Sequence, residues 1–291
     1  MEASPASHQI IAELLAEHTG QHLNESRRWR VASALSGVFR QHGISNIDQL
    51  VCLLGTPSQR GSDQDIATQV VEALLNNETY FFRDKPTFDQ LPDQILPAIA
   101  ARNANRKRIA IWCAGCSTGQ EVHSLAMLFE DQKERWKGWD IDILGTDVSH
   151  KVIRTARNGL YSQFEVQRGL GVVQMLRHFD ETPDGWQIRD HVRHITRFQQ
   201  HNILSQPPAR ERFDLVLCRN VLLYFDQPTR EEAFRRIASA MAPDGFLMLG
   251  AGETVVGQTR ELVPSPGRAS IYERQKTAAS RLARDPALAS R

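Results

Sequence analysis

The chain lacks the features of a secreted, membrane-spanning or metal-binding protein. It has four cysteines in 291 residues, at 52, 113, 116 and 218, too few for a disulfide framework. No apolar run approaches the roughly 18 residues of a membrane-spanning helix, and the opening MEASPASHQ has no hydrophobic signal region. The formal charge of +1 supplies no global pull toward nucleic acid or a membrane surface. There is no His-Glu-x-x-His, no internal repeat, no Gly-x-Gly-x-x-Gly and no Gly-Lys-Ser/Thr phosphate loop. What remains is 41% apolar and 24% charged, the composition of a cytoplasmic globular protein with a sizeable core.

Two spacings invite a metal reading and do not sustain it. Cys113-x-x-Cys116 has the separation of half a zinc site, but no second ligand pair lies near it and Cys113 ends an apolar strand. Packing is the expectation there. His191-x-x-His194 falls in a strand-like run, where that spacing points the rings to opposite faces. No metal is expected.

The most informative stretch is Arg108 to Leu128. Ile109–Trp112 has strand length, Ala114–Gly119 is a loop of small residues, and Glu121–Leu128 has helical apolar spacing. Strand, glycine turn and helix open a nucleotide-binding α/β sheet. Gly115-x-x-x-Gly119 lacks the pyrophosphate signature, so the turn suits a nucleoside-bearing ligand without phosphates, or else simply packs. S-adenosylmethionine is the candidate ligand.

Around this unit the chain divides. Residues 1–75 predict a small all-helical domain, with a frayed tail to residue 8 and apolar stripes at Ile10, Ile11, Leu14 and Leu15. A second stripe, after a cap at Asn24 or Ser26, runs Trp29, Val31, Ala32, Leu35, Val38 and Phe39. A third helix follows Asn46 or Ser45, and Ser62-x-x-Asp65 caps a fourth over 66–75. Arg27, Arg28, Arg30 and Arg40 give the second helix a basic face, either solvated or a docking surface for an acidic partner helix. Residues 76–107 predict a linker and a helix restarting at Pro86; the aromatics in NNETYFFRDK are expected to be buried. Residues 108–274 form the α/β domain. Its second strand ends at Asp147, where a carboxylate can accept two ribose hydrogen bonds. Ser149 caps a helix to Asn158. Trp186–Arg189 and Val192–Phe198 predict an antiparallel hairpin, a β insert at about 180–199. Phe213–Asn220 reads as a buried strand, a helix starts at Pro228, and Ser270–Tyr272 closes the sheet. Residues 275–291 have tail composition.

Four motifs in order give the chain a recognisable look: Asn77-Glu78-Thr79-Tyr80-Phe81-Phe82-Arg83, Trp112 through Gly119, Thr146-Asp147, and Cys218-Arg219-Asn220-Val221-Leu222-Leu223-Tyr224-Phe225. The sequence resembles the chemotaxis receptor glutamate methyltransferases over nearly its whole length, to about Arg274. The family has Gly-Glu-Glu-Pro-Tyr where this chain has Gly119-Gln120-Glu121-Val122-His123. The second acidic position survives, so Glu121 is the residue carried over.

The resemblance implies a doubly wound, mostly parallel seven-stranded sheet with a small antiparallel insert, behind the helical domain. It implies S-adenosyl-L-methionine as methyl donor and S-adenosyl-L-homocysteine as product. Asn77, Thr79, Arg83, Glu121, Asp147, Asn202, Ile203, Arg219 and Asn220 would bind the cofactor. Arg83 and Tyr224 would position a glutamate carboxylate, and Arg83 could serve cofactor or substrate. Arg27, Arg28 and Arg30 would dock the cytoplasmic helices of methyl-accepting receptors. Some members anchor to a receptor-tail pentapeptide through a glycine-rich turn in a three-stranded insert. Here His178–Trp186 has one glycine, a proline and three acids, so no tether is expected. A monomer is expected. A non-catalytic cofactor-binding scaffold and a nicotinamide oxidoreductase are the other readings; the missing pyrophosphate turn disfavours the latter.

Overall fold

The structure, a computed structural model, describes residues 4–23, 25–55 and 65–275, with the side chains of residues 25–28 outside that description. Asn24, Ser62 and the expected tail beyond residue 275 likewise lie outside the described residues.

Among the described residues, five helices come first: α1 (Pro5–Thr19), α2 (Glu25–Ala34), α3 (Ser36–His42), α4 (Ile47–Leu54) and α5 (Ile66–Leu74). The fraying expected to residue 8 does not hold from residue 4 onward, because Ser4 caps α1. Its hydroxyl accepts the Ser7 N–H at 3.1 Å, and Pro5 sits at the first helical position. Asn46 and Asp65 cap α4 and α5 in the same way. The apolar stripe at Trp29 to Phe39 is divided between α2 and α3, and Trp29 is 77% exposed rather than packed. Val31, Leu35 and Val38 complete the buried stripe at helical spacing, and a residue two positions before Val31 lies about 200° around the helix from it. These side chains join Ile11, Ile47, Leu50, Ile66 and Val70 in a core of their own.

Ten strands follow: β1 (Arg108–Ala114), β2 (Asp140–Asp147), β3 (Leu160–Tyr161), β4 (Phe179–Thr182), β5 (Gly185–Ile188), β6 (Thr196–Gln200), β7 (Phe213–Cys218), β8 (Met241–Leu249), β9 (Leu262–Pro264) and β10 (Ile271–Arg274). Seven make the main sheet in the order β6-β2-β1-β7-β8-β10-β9. Strands β6, β2, β1, β7 and β8 are parallel, and β10 runs against both its neighbours. From β1 the chain winds outward to β2 and β6, then returns to β7 and winds the other way, so the order reverses between β1 and β7.

Strand β1 shows why the sheet is covered on both faces. Ile109, Ile111 and Cys113 point into one core with the helix Gln120–Asp131; Ala110, Trp112 and Ala114 point into the other with the helix Gln227–Ala240. The two-residue period of a strand, with both faces apolar, requires helices above and below. Cys113 and Cys116 pack in the first core, where burial pushes both thiols well up from their ordinary range. Phe81 is fully buried against the edges of Tyr161 and Phe179, at 5.1 and 5.6 Å between ring centroids. Its carbonyl passes so close to Gly169 that a Cβ there would lie 1.9 Å away. The helix expected from Pro86 is broken into Lys85–Phe88, a π turn at Leu91–Ile95 and Leu96–Arg102, since Pro92 and Pro97 interrupt the hydrogen-bond ladder.

The predicted hairpin of Trp186–Arg189 with Val192–Phe198 does not form. Strand β5 pairs with β4 and β3 in a three-stranded sheet, which places the insert at 160–188 rather than about 180–199. Asp190–Arg193 is a helix, and β6 is the edge of the main sheet, parallel to β2 from Thr196 to Gln200. Adjacency in sequence suggested a hairpin; the parallel partner lies some fifty residues earlier. His191 and His194 accordingly share a helical turn, with His194 Nδ1 2.6 Å from the His191 carbonyl.

His123 stands in the core between Tyr161 and Phe198, with Nε2 3.3 Å from the Ala156 carbonyl and Nδ1 unpartnered. Burial lowers its pKa from 6.5 to about 4. The unfolded chain therefore takes up a proton between those values while the folded one does not, so stability falls as pH drops from 6.5 to 4. The loss is about 3 kcal/mol. His123→Phe should flatten the stability profile over that interval by about this amount. Urea unfolding of both proteins at pH 7 and pH 4 checks it, and parallel profiles would remove His123 as the source.

Candidate active site

The carboxyl ends of β1, β2 and β7 face a single cleft of about 850 Å³, counting its open mouth. It lies where the strand order reverses, the position at which doubly wound sheets bind ligands. Asn77, Thr79, Arg83, Glu121, Asp147, Asn202, Ile203, Arg219, Asn220 and Tyr224 all line it. Thus every residue expected to bind cofactor or position substrate reaches one site.

The turn after β1 is shaped by close approach. A Cβ on Gly115 would lie 2.3 Å from Val221 Cγ2, and one on Gly119 would lie 2.9 Å from Ala156 Cβ; both glycines have positive φ, +81° and +93°. Between them Ser117 adopts φ 50°, a conformation that disfavours a side chain. Two contacts hold it there. Its N–H donates to Asp147 Oδ2 at 2.9 Å, and its hydroxyl donates to the Asn77 carbonyl at 2.7 Å. Asp147 Oδ1 accepts the Ser149 N–H at 3.0 Å. Burial raises the Asp147 pKa, opposed by these two N–H groups.

Arg219, at the end of β7, is the centre of the cleft's electrostatics. Its side chain is 2% exposed. One terminal nitrogen donates to Glu121 Oε2 at 2.8 Å; the other donates to Asp84 Oδ2 at 3.0 Å and to the Arg83 carbonyl at 2.6 Å. Burial alone would lower its pKa, but the two carboxylates outweigh that and hold it above the ordinary value. Arg83 contributes only its carbonyl to this network. Arg83 is half-buried, donates to the Glu78 carbonyl at 3.0 Å and stacks 5.6 Å from the Tyr80 ring. Arg168 covers the same ring at 4.4 Å and bonds Glu78 at 2.6 Å, which lowers the Glu78 pKa.

The helical bundle supplies part of the wall, through Thr19 and Gln21. Asn202 donates to the His18 carbonyl at 2.9 Å and accepts from the Leu204 N–H at 2.9 Å, so its side chain also holds down the end of α1. The Tyr224 hydroxyl accepts from Asn76 Nδ2 at 2.6 Å, and its carbonyl accepts the His22 N–H at 2.8 Å. Arg30 does not line the cleft. It is exposed on α2 beside Trp29, on a groove that shares Gln21, Leu75 and Asn76 with the cleft. Arg27 and Arg28 belong to α2, but their side chains lie outside the described residues.

Sequence reasoning missed Ser117, Glu78, Asn76 and His201, which also line the cleft. Ser117 and Glu78 sat inside quoted motifs and carried a signal; Asn76 and His201 reach the site only through the fold.

Comparison with known proteins bears on this geometry. The family model described as "CheR methyltransferase, SAM binding domain" matches residues 77–270. The chain is 32% identical to chemotaxis protein methyltransferase 1 of Pseudomonas aeruginosa, over 88% of this chain and 92% of that protein. It is 32% identical to chemotaxis protein methyltransferase Cher2 of Pseudomonas putida, covering 81% and 85%. It is 30% identical to a chemotaxis protein methyltransferase of Vibrio parahaemolyticus, covering 88% and 92%.

Breaking a buried ion pair from one side strands the remaining charge, at about 3–5 kcal/mol. Arg219→Ala should lose stability of that order in denaturant unfolding, because Glu121 and Asp84 would face each other without their common cation. A loss below about 1 kcal/mol would show that the network is dispensable.

Proposed function

This chain belongs to the CheR methyltransferase family, and from that premise we propose that it esterifies glutamate side chains on the cytoplasmic helices of chemotaxis receptors. It is an S-adenosylmethionine-dependent methyltransferase of chemotaxis. The convergence of all ten expected positions on one cleft supports the finer reading. Its kinship with methyltransferases leaves the scaffold alternative without an observation in its favour.

The residues present fit the cofactor. Asn220 Oδ1 is buried without a hydrogen-bond partner, an acceptor placed in the cleft wall and ready to be matched. Asp147 has taken one N–H on each oxygen, and each oxygen retains a lone pair for a ribose hydroxyl. Glu121, paired through Oε2 with Arg219, would receive the ammonium group. Asn77, Thr79 and Arg83 would enclose the methionine end, with Asn202, Ile203, Arg219 and Asn220 about the adenine and methyl-donor region. When bound, S-adenosylmethionine supplies a methyl on a sulfonium that carries its own leaving group.

The chain's own residues then have a limited task. A glutamate side chain is already an anion at neutral pH, so no general base is required. The cleft must orient a carboxylate oxygen and partly strip its water. Arg83 and Tyr224 are assigned to that placement. Arg83 is half-buried and shares its charge with the Glu78 carbonyl, which suits it to steer a carboxylate without quenching its nucleophilicity. Transfer of a tritiated methyl group to a receptor cytoplasmic fragment, in a linkage cleaved by mild base as esters are, tests the reading. Base-stable label would move the acceptor away from glutamate. In the same assay Tyr224→Phe should lower kcat while leaving S-adenosylhomocysteine affinity unchanged. A parallel loss of affinity would place Tyr224 among the binding residues, and unchanged kcat would make it packing.

Docking is assigned to the basic face of α2, with no tether through the insert. The turn between β4 and β5 carries Pro183 and Asp184, and the edge strand β4 carries the exposed acids Asp180 and Glu181. Salt screens exposed charge pairs beyond about 10 Å at 0.1 M. Methylation of a receptor fragment should therefore slow with added salt, equally with and without the receptor tail. Replacing Arg27, Arg28 and Arg30 by alanine should raise KM for the fragment and flatten the salt response. Normal methylation by the triple variant at low salt would sink the docking role, and a strong dependence on the tail would sink the absence of a tether.

A further inference from the structure

Glu253 has no place in the chemistry above, yet its carboxylate is the most heavily bonded acceptor beside the cleft. Oε2 accepts the Asn220 N–H at 2.7 Å and the Gly250 N–H at 2.9 Å. Oε1 accepts the N–H groups of Val221, Leu222 and Leu223 at 3.1, 2.9 and 3.3 Å. Four of these five donors are consecutive residues of the segment that carries Asn220 into the cleft and leads to Tyr224. The segment has no strand ladder of its own: β7 ends at Cys218, and Leu222–Tyr224 is a single 3-10 turn. Asn220 stands at φ 59°, a left-handed conformation that asparagine tolerates better than most side chains and that these bonds fix.

The carboxylate is itself anchored. The Glu253 N–H donates to the Gly250 carbonyl at 3.0 Å, and Tyr272 on β10 donates its hydroxyl to the Glu253 carbonyl at 3.4 Å. Gly250 leaves the room this needs, since a Cβ there would lie 2.9 Å from Glu253 Oε2 and 3.0 Å from the Asn220 nitrogen. An anion gathering successive N–H groups at the start of a helical turn is favourable twice over, through hydrogen bonding and through the dipole of the turn.

We infer that Glu253 is a positioning residue for methyl transfer: its carboxylate fixes the backbone of residues 220–223 and so sets where Asn220 and Tyr224 stand in the cleft. The inference rests on the assignment of Tyr224 to carboxylate placement. Glu253 is not among the residues lining the cleft and acts through that segment. Misplacement by about 1 Å is enough to cost on the order of 100-fold in rate, and loss of this carboxylate frees four consecutive N–H groups at once.

The test uses the full chain with S-adenosylmethionine and a receptor cytoplasmic fragment. Glu253→Gln preserves shape but turns an amide NH₂ toward donors that need an acceptor. It should lower kcat about 100-fold and leave KM for the fragment within twofold. Combined with Tyr224→Phe, it should cost no more than the larger single loss, because both changes disable one placement. Glu253→Asp, one methylene short but still anionic, should recover part of the rate, and it decides the matter if the glutamine variant fails to fold. Activity within twofold of wild type in a folded variant would overturn the inference, as would losses that multiply in the double variant. If the wild-type protein transfers no methyl to the fragment, the acceptor reading has failed; S-adenosylhomocysteine binding to Glu253→Gln then still reports on Asn220, and unchanged affinity would refute the positioning role there too.

Discussion

The structure depends on the burial of one guanidinium. Arg219 is almost inaccessible to water, and a cation in that position is tolerable only with opposite charges at hydrogen-bond distance. Glu121 and Asp84 supply them from the start of the helix after β1 and from the residue preceding the short helix Lys85–Phe88. Two stretches, 98 and 135 positions from the arginine, are thereby drawn to it. The loop that carries Thr79 and Arg83 gains a fixed end, and Asp84 is held at φ 54°.

The same economy recurs around the cleft. Carboxylates on strand ends and helices are turned toward backbone N–H groups that have no ladder partner. Asp147 receives Ser117 and Ser149; Glu72 on α5 receives the N–H groups of His150 and Lys151 and the Ser149 hydroxyl. Four of the seven non-glycine residues with positive φ among the described residues, Phe82, Asp84, Ser117 and Asn220, are at or beside the cleft. The strain is local, and each of three of them has a named side chain holding it: Arg219 for Asp84, Asp147 for Ser117, Glu253 for Asn220. Rigid backbone at the mouth of a sheet is what a reaction limited by placement requires.

Much of this was legible in the sequence, and the parts that were not share a cause. Strands β1, β2 and β7 and their polar ends could be read because their periodicity and their terminal residues are local. Asp147 followed from its place at a strand end, and Glu121 from the family resemblance. The pairing of β6 with β2, the exposure of Trp29 and the burial of Arg219 were not readable, since each is decided by a partner far along the chain. The aromatics beside Arg83 were all expected to be buried, yet in space they divide: Phe81 enters the core, and Tyr80 is half-buried under two arginines. Glu253 lay in no motif at all. Its importance arises from β8 lying beside β7, which brings the turn after one strand to the end of the other.

The contact between α1 and the cleft sets a requirement on length rather than on identity. Thr19 and Gln21 are wall residues, Gly20 between them would collide with Leu204 if it bore a side chain, and Asn202 grips the His18 carbonyl. The far end of α1 is fixed by Ser4, whose N–H donates to Asp48 on α4. Each residue adds about 1.5 Å and 100° to a helix, so one insertion would both push the wall inward and swing it aside. Helix α1 is thus a gauge block: surface positions along it are free to drift in character, while the number of residues between its two fixings is not.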